Sequence, residues 1–233
     1  MITMKFGGTS VQDADAISNV VTIVRKALPR RPVVIISAIA QATNTLEKIG
    51  KTGNSFGQAA RNRGASFGVT HFFPPAFVSK YMGAEALPFD YQTRSYFFGG
   101  PWNLMTDLPA QDALMLAGAI GAYKELRELI RDGRVVHLVA PSFSGSGPNR
   151  YQISWDAIQA VESGMNRAVL LIGRGLAGPG AYNVRPQGLN PAKVYALAAS
   201  SGANYGSRSG ADLMANGIDV SLPERAHETI VLA

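Results

Sequence analysis

Hydrophobic positions fall in blocks along the chain. Residues 2–6 read as a short strand, broken by Gly7, Gly8, Thr9 and Ser10. Ile17, Val20, Val21, Val24 and Leu28 then recur at helical spacing, so one face of a helix is apolar. Ser10 or Asp13 supplies its cap, and Pro29 and Pro32 stop it. Residues 33–36 are a continuous apolar run, the pattern of a strand buried on both faces. Residues 2–37 are therefore predicted as strand, glycine turn, helix, strand. The crossover is long enough for parallel pairing and should be right-handed.

A short helical stretch is expected within 38–50. Residues 51–111 are crowded with glycine, serine, asparagine, proline and aromatics, and their periodicity is weak. So long a stretch without readable elements is uncommon in a compact domain, and it is taken as an insertion or lid. Leu114, Ala122, Leu126, Leu129 and Ile130 give a helix over 111–132, ended at Asp132-Gly133. Strands are expected at 135–139, 169–172 and 230–232, and helices at 154–163, 191–200 and 212–216. Strands alternating with helices predict an α/β fold, a three-layer sandwich with a mostly parallel sheet, in a single domain spanning 1–233.

Composition narrows the chemistry. With 233 residues, 46% hydrophobic and 16% charged, the chain can build a core and does not read as disordered. It has no cysteine, which removes disulfides, thiolate metal sites and a cysteine nucleophile. His71, His137 and His227 show no metal-ligand spacing. A net charge of +6 suits anionic ligands such as nucleotides. The basic residues are scattered except for Arg25, Lys26, Arg30 and Arg31 at a helix end, where they complement the dipole, so no nucleic-acid partner is expected. No apolar run reaches the ~18 residues of a membrane span and MITMKFGGTS is not a signal peptide, so no membrane partner and a cytoplasmic location are expected.

One segment could carry chemistry. In Lys5-Phe6-Gly7-Gly8-Thr9-Ser10, two glycines at a strand–helix junction let backbone amides approach an anion, and Lys5 adds a full positive charge. The same residues also fit a plain glycine turn with a surface lysine. Gly173-x-Gly175-x-x-Gly178 fits a dinucleotide fingerprint, but Pro179 stands where its helix should run, so it reads as a turn.

The segment Lys5-Phe6-Gly7-Gly8-Thr9-Ser10-Val11 resembles the opening motif of aspartokinases, in the amino acid kinase family. Residues 34–46, from Val34-Ile35-Ile36-Ser37 to Thr43-Asn44-Thr45-Leu46, resemble the family's next motif, with Gln41-Ala42 where a glycine is usual. The likeness covers about the first fifty residues. It implies an amino acid kinase-like fold. It also implies ATP-dependent phosphorylation of L-aspartate to 4-phospho-L-aspartate in amino-acid biosynthesis, with ATP and Mg²⁺ as cofactors. Lys5 would contact the transferring phosphoryl group, Gly7, Gly8, Ser10 and Ser37 would line the nucleotide site, and Thr43 would hold the aspartate. Ser207-Arg208-Ser209-Gly210-Ala211-Asp212-Leu213 resembles the family's G-R-G-G-S-D segment, which makes Asp212 the organising carboxylate. Beyond these motifs the match thins. Ala119 stands where the substrate-binding glutamate would be, and the adenine-side W-T-D-V-D-G motif has no counterpart. The alternative is a weakly active or inactive nucleotide- or amino-acid-binding protein on the same scaffold. Another option takes residues 168–232 as a degenerate ACT-like unit. The implied partners are L-aspartate and, as an option, a second copy of the chain.

Overall fold

The computed structural model describes residues 2–11, 14–39, 58–78, 80–82, 89–100, 102–104, 110–144 and 151–233. They fall into two compact units, Met1–Thr52 and Gly53–Ala233.

In the first unit, strand β1 (Ile2–Gly8) is followed by a 3-10 turn (Thr9–Val11), helix α1 (Ala14–Ala27) and strand β2 (Pro32–Ile39). β1 and β2 pair in parallel, from Ile2 opposite Pro32 to Phe6 opposite Ile36, as the pattern predicts. α1 buries Val20 and Ala27. It ends at Pro29 in a 3-10 turn (Leu28–Arg30), where the Arg31 N–H closes on the Leu28 carbonyl. The expectation that 33–36 is buried on both faces fails: Val33, Ile35 and Ile36 are 46%, 47% and 61% exposed. A continuous apolar run says what a strand could bury, not how much neighbouring chain is there to cover it.

The second unit opens with helix α2 (Gln58–Val69), strand β3 (Lys80–Met82), helix α3 (Phe89–Arg94) and strand β4 (Trp102–Leu104), which pairs in parallel with β3. The long helix α4 (Ala110–Asp132) leads into strand β5 (Arg134–Val139). Two-residue strands β6 (Phe143–Ser144) and β7 (Tyr151–Gln152) pair before β8 (Trp155–Val161) and β9 (Ala168–Arg174). Strands β10 (Ala181–Val184), β11 (Val194–Ala199) and β12 (Asn204–Ser209) follow. Helix α5 (Gly210–Asn216), β13 (Ile218–Ser221) and β14 (Ala226–Leu232) complete it.

The main sheet has six strands in the order β12-β11-β14-β9-β8-β5, and every neighbouring pair is antiparallel. This overturns the expected mostly parallel three-layer sandwich. The error has a local source. The sequence pattern reads residues 154–163 and 191–200 as helices, each of which would serve as a crossover between parallel strands. Both are strands instead. β8 is buried along its whole length, so its periodicity carries no signal. β11 alternates exposed and buried positions, the mark of a strand with one covered face. With those crossovers gone, short connections remain, such as the turn from Glu162 to Arg167 between β8 and β9, and short connections join antiparallel neighbours.

Alternation along the strands gives the sheet two covered faces. Ile158, Ala160, Val169 and Leu171 pack against Phe97, Phe98 and the α4 residues Leu126, Leu129 and Ile130. Ala157, Leu170, Ile172, Ile230 and Leu232 turn the other way, toward Val184, Ile218 and Val220 of the β10–β13 pair and Leu213 of α5. Trp155 closes the rim of this second core, its indole N–H donating to the Pro179 carbonyl at 2.9 Å and its ring stacked on Tyr182. Among the described residues no helix is long and apolar enough to cross a membrane.

Candidate functional site

The helix-facing side of the sheet carries a buried polar cluster. Pairing across β8, β9 and β14 sets Asp156 opposite Gly173, and Gly173 opposite His227. These three positions form a row on one face. Gly173 has no side chain, and that gap admits Arg63 from α2: a Cβ on Gly173 would lie 1.8 Å from Nη2. The Arg63 Nε donates to Asp156 Oδ2 at 3.1 Å, and its Nη2 forms an ion pair with the same carboxylate. Its Nη1 donates to the Tyr91 hydroxyl at 3.3 Å and meets His227 Nε2. Guanidinium only donates, so His227 Nε2 is the acceptor in this contact. Gln152 donates to Asp156 Oδ1 at 2.7 Å. Burial lowers the proton affinity of Arg63, while Tyr91 beside it works in the opposite direction. The adjoining cavity, lined by Arg63, Ser66, Ser95, Asp156 and His227, is about 20 Å³, room for one water and nothing larger. The cluster clamps α2 onto the sheet and offers no space to a substrate.

A second pair of titratable groups joins the turn after α2 to the edge strand β5. His71 and His137 stack with ring centroids 3.6 Å apart, and His137 Nε2 shares a hydrogen bond with Thr70 Oγ1 at 2.8 Å. Partial burial, and then the His71 ring, hold the His137 pKa below its ordinary 6.5. The unfolded chain therefore binds this proton more readily than the folded one. The resulting stability is fully present above the unfolded value and is lost as pH falls through the lowered folded value. The urea midpoint should drop as pH is taken below about 6.5. His137→Gln should flatten that slope, and an unchanged slope would exclude His137 as its source.

A wider cleft, about 330 Å³, opens between α4 and strands β11 and β14. Its polar lining comes from Arg94, Glu125, Ser200 and Thr229, and its apolar lining includes Phe97 and Leu126. An Arg94 Nη1–H donates to the Ser200 hydroxyl. Ser200 Oγ in turn donates to Glu228 Oε1 at 2.8 Å. Glu228 is buried and also accepts from the Ser201 amide at 3.1 Å and the Ser201 hydroxyl, so its lone pairs are well occupied. It alternates with His227 and points to the face opposite Asp156.

The residues singled out from sequence are placed as follows. Lys5, Gly7 and Gly8 lie on β1, Ser10 in the 3-10 turn that follows and Ser37 on β2, so the first unit gathers them on a parallel strand pair and its following turn. Thr43 lies outside the described residues. Asp212 belongs to the second unit, in the first turn of α5, where it takes hydrogen bonds from Arg208 Nε and from Asn216 Nδ2 at 2.6 Å. Arg208, together with Asn216, holds its carboxyl below the usual range. Arg208 also donates to the Gly217 carbonyl at 2.6 Å, so this ion pair fastens both ends of α5. Ala119 lines the cleft on α4. Sequence reasoning missed Arg63, Asp156, Glu125 and Thr229, and took from His227 only that it shows no metal-ligand spacing. The available signal was a charged or polar residue inside an apolar run, as Asp156 is between Trp155 and Ala157.

No protein-family model and no curated protein matches the chain. Solved structures do. The galactosidase domain of the α-galactosidase–sucrose kinase AgaSK superposes with a TM-score of 0.62 at 16% identity, over 99% of this chain and 34% of that one. An α-galactosidase from Lactobacillus brevis gives 0.61 at 14% identity, over 99% and 35%. The GH36 α-galactosidase AgaB from Geobacillus stearothermophilus gives 0.56 at 20% identity, over 75% and 24%. The chain thus shares a fold with part of these enzymes and spans about a third or less of their length.

These likenesses correct the family expectation. The aspartokinase resemblance rests on short motifs, most of them in the first unit and one at 207–213 in the second, and does not extend to the fold, so the aspartate kinase assignment falls, together with phosphotransfer and an amino-acid biosynthetic role. ATP and Mg²⁺ fall with it. The solved structures that match are of α-galactosidases and of a galactosidase domain, and among the described residues no group of three or more acidic or histidine side chains could hold a metal.

Proposed function

We propose that the chain serves carbohydrate processing as a noncatalytic, helix-backed antiparallel domain of an α-galactosidase-type glycoside hydrolase. The observation that carries this reading is the superposition on α-galactosidases over 99% of the chain. The carboxylates support the noncatalytic part. Hydrolysis of a glycosidic bond generally uses two carboxyl groups about 5–9.5 Å apart across the substrate. Among the described residues, Asp156 is closed off by Arg63 and Gln152, Glu228 points to the other face, and the cleft is lined by one carboxylate, Glu125.

The expected result is retention of the chain on a galactoside-coupled resin and elution by free raffinose, with no release of nitrophenol from an aryl α-galactoside. Unretained passage would overturn the carbohydrate role. Turnover at glycosidase rates would overturn the noncatalytic assignment.

A further inference from the structure

We propose that the cleft between α4 and strands β11 and β14 is a binding subsite for a neutral hexopyranosyl ring. The proposal rests on the carbohydrate reading above and adds the place and mode of recognition.

Thr229 is 4% exposed, lines this cleft and has its Oγ1 without a hydrogen-bond partner among the described residues. A buried hydroxyl in that state is unfavourable unless something entering the cleft bonds to it. The neighbouring groups say what that something is. Arg94 supplies donors and is held by its bond to Ser200, which is itself anchored on the buried Glu228. Glu125 supplies acceptors. One cation and one carboxylate offset each other, so the cleft favours a ligand with no net charge and with hydroxyls that both donate and accept. Phe97 and Leu126 add apolar surface, which suits the C–H face of a pyranose. Gly118, on the α4 wall, leaves the room: a Cβ built there meets nothing within 4 Å.

The probe is methyl α-galactoside, titrated into the full chain and followed by calorimetry. Wild type should bind saturably. Thr229→Val removes the hydroxyl at nearly constant volume and should weaken binding several-fold. Gly118→Leu fills the cleft and should weaken binding by at least about tenfold. Leucine is a better helix former than glycine, so this variant should keep or raise the unfolding midpoint, which separates blocked binding from lost folding. Undiminished affinity in a folded Gly118→Leu chain would overturn the cleft assignment and leave the carbohydrate reading standing. If wild type binds neither methyl α-galactoside nor raffinose, the carbohydrate reading fails and this proposal fails with it.

Discussion

Replacing Asp156 with alanine should lower the free energy of unfolding by about 3–5 kcal/mol, because a buried guanidinium is then left without its counter-charge. Arg63 enters the sheet face over Gly173 and finds Asp156, Tyr91 and His227 there. Tyr91 and His227 can accept hydrogen bonds but carry no negative charge, so neither compensates. Gln152 would lose its acceptor as well. Against a typical domain stability of about 5–15 kcal/mol, such a loss leaves little margin. Urea denaturation should show the midpoint falling with the slope nearly unchanged. The double replacement Arg63→Met with Asp156→Leu removes both charges and should recover much of the loss, since an apolar pair can replace a buried ion pair at small cost. A loss below about 1 kcal/mol for Asp156→Ala would mean that the Arg63 side chain reaches water and that α2 is not clamped to the sheet.

Sequence periodicity read some of this architecture well and failed where burial removes periodicity. α1 and α4 each present one apolar face, and both form close to where expected. The run at 169–172 becomes β9, and the hydrophobic end of the chain becomes β14. β8 is covered on both faces and showed no pattern that distinguishes strand from helix. Asn190 and Pro191 resembled a helix start before β11. They form a tight turn instead, in which the Ala192 amide donates to Asn190 Oδ1. α2 escaped notice because Gly64 and Gly68 lower its helix propensity. Gly64 is there for contact, since a Cβ would lie 2.5 Å from the Phe143 ring. The buried cluster was illegible for a related reason. Arg63 and Asp156 are 93 residues apart, and nothing local announces that they meet. Lys5-Phe6-Gly7-Gly8-Thr9-Ser10 shows the opposite failure. A short motif can match a family closely while the fold around it belongs elsewhere, because function resides in a site and a fold together rather than in a string of residues.

The two apolar runs that look alike in sequence should respond very differently to truncation. Leu170 sits in 169–172 and is fully buried, packed with Trp155, Ile172 and Ile230 between the six-stranded sheet and the β10–β13 pair. Leu170→Ala removes its contacts and leaves a cavity that close-packed neighbours fill only partly, which should cost about 2–5 kcal/mol. Ile36 sits in 33–36, on a strand paired with β1, and is 61% exposed. Ile36→Ala removes methyl groups that water already reaches, and should stay within about 0.5 kcal/mol of wild type. The comparison is made on the same chain by urea unfolding, with tryptophan fluorescence reporting the second unit, where Trp102 and Trp155 lie. Far-ultraviolet circular dichroism follows both units. A large loss at Ile36 would show that this strand buries its side chains in solution, and an innocuous Leu170→Ala would show that the core between the two sheets is loosely packed.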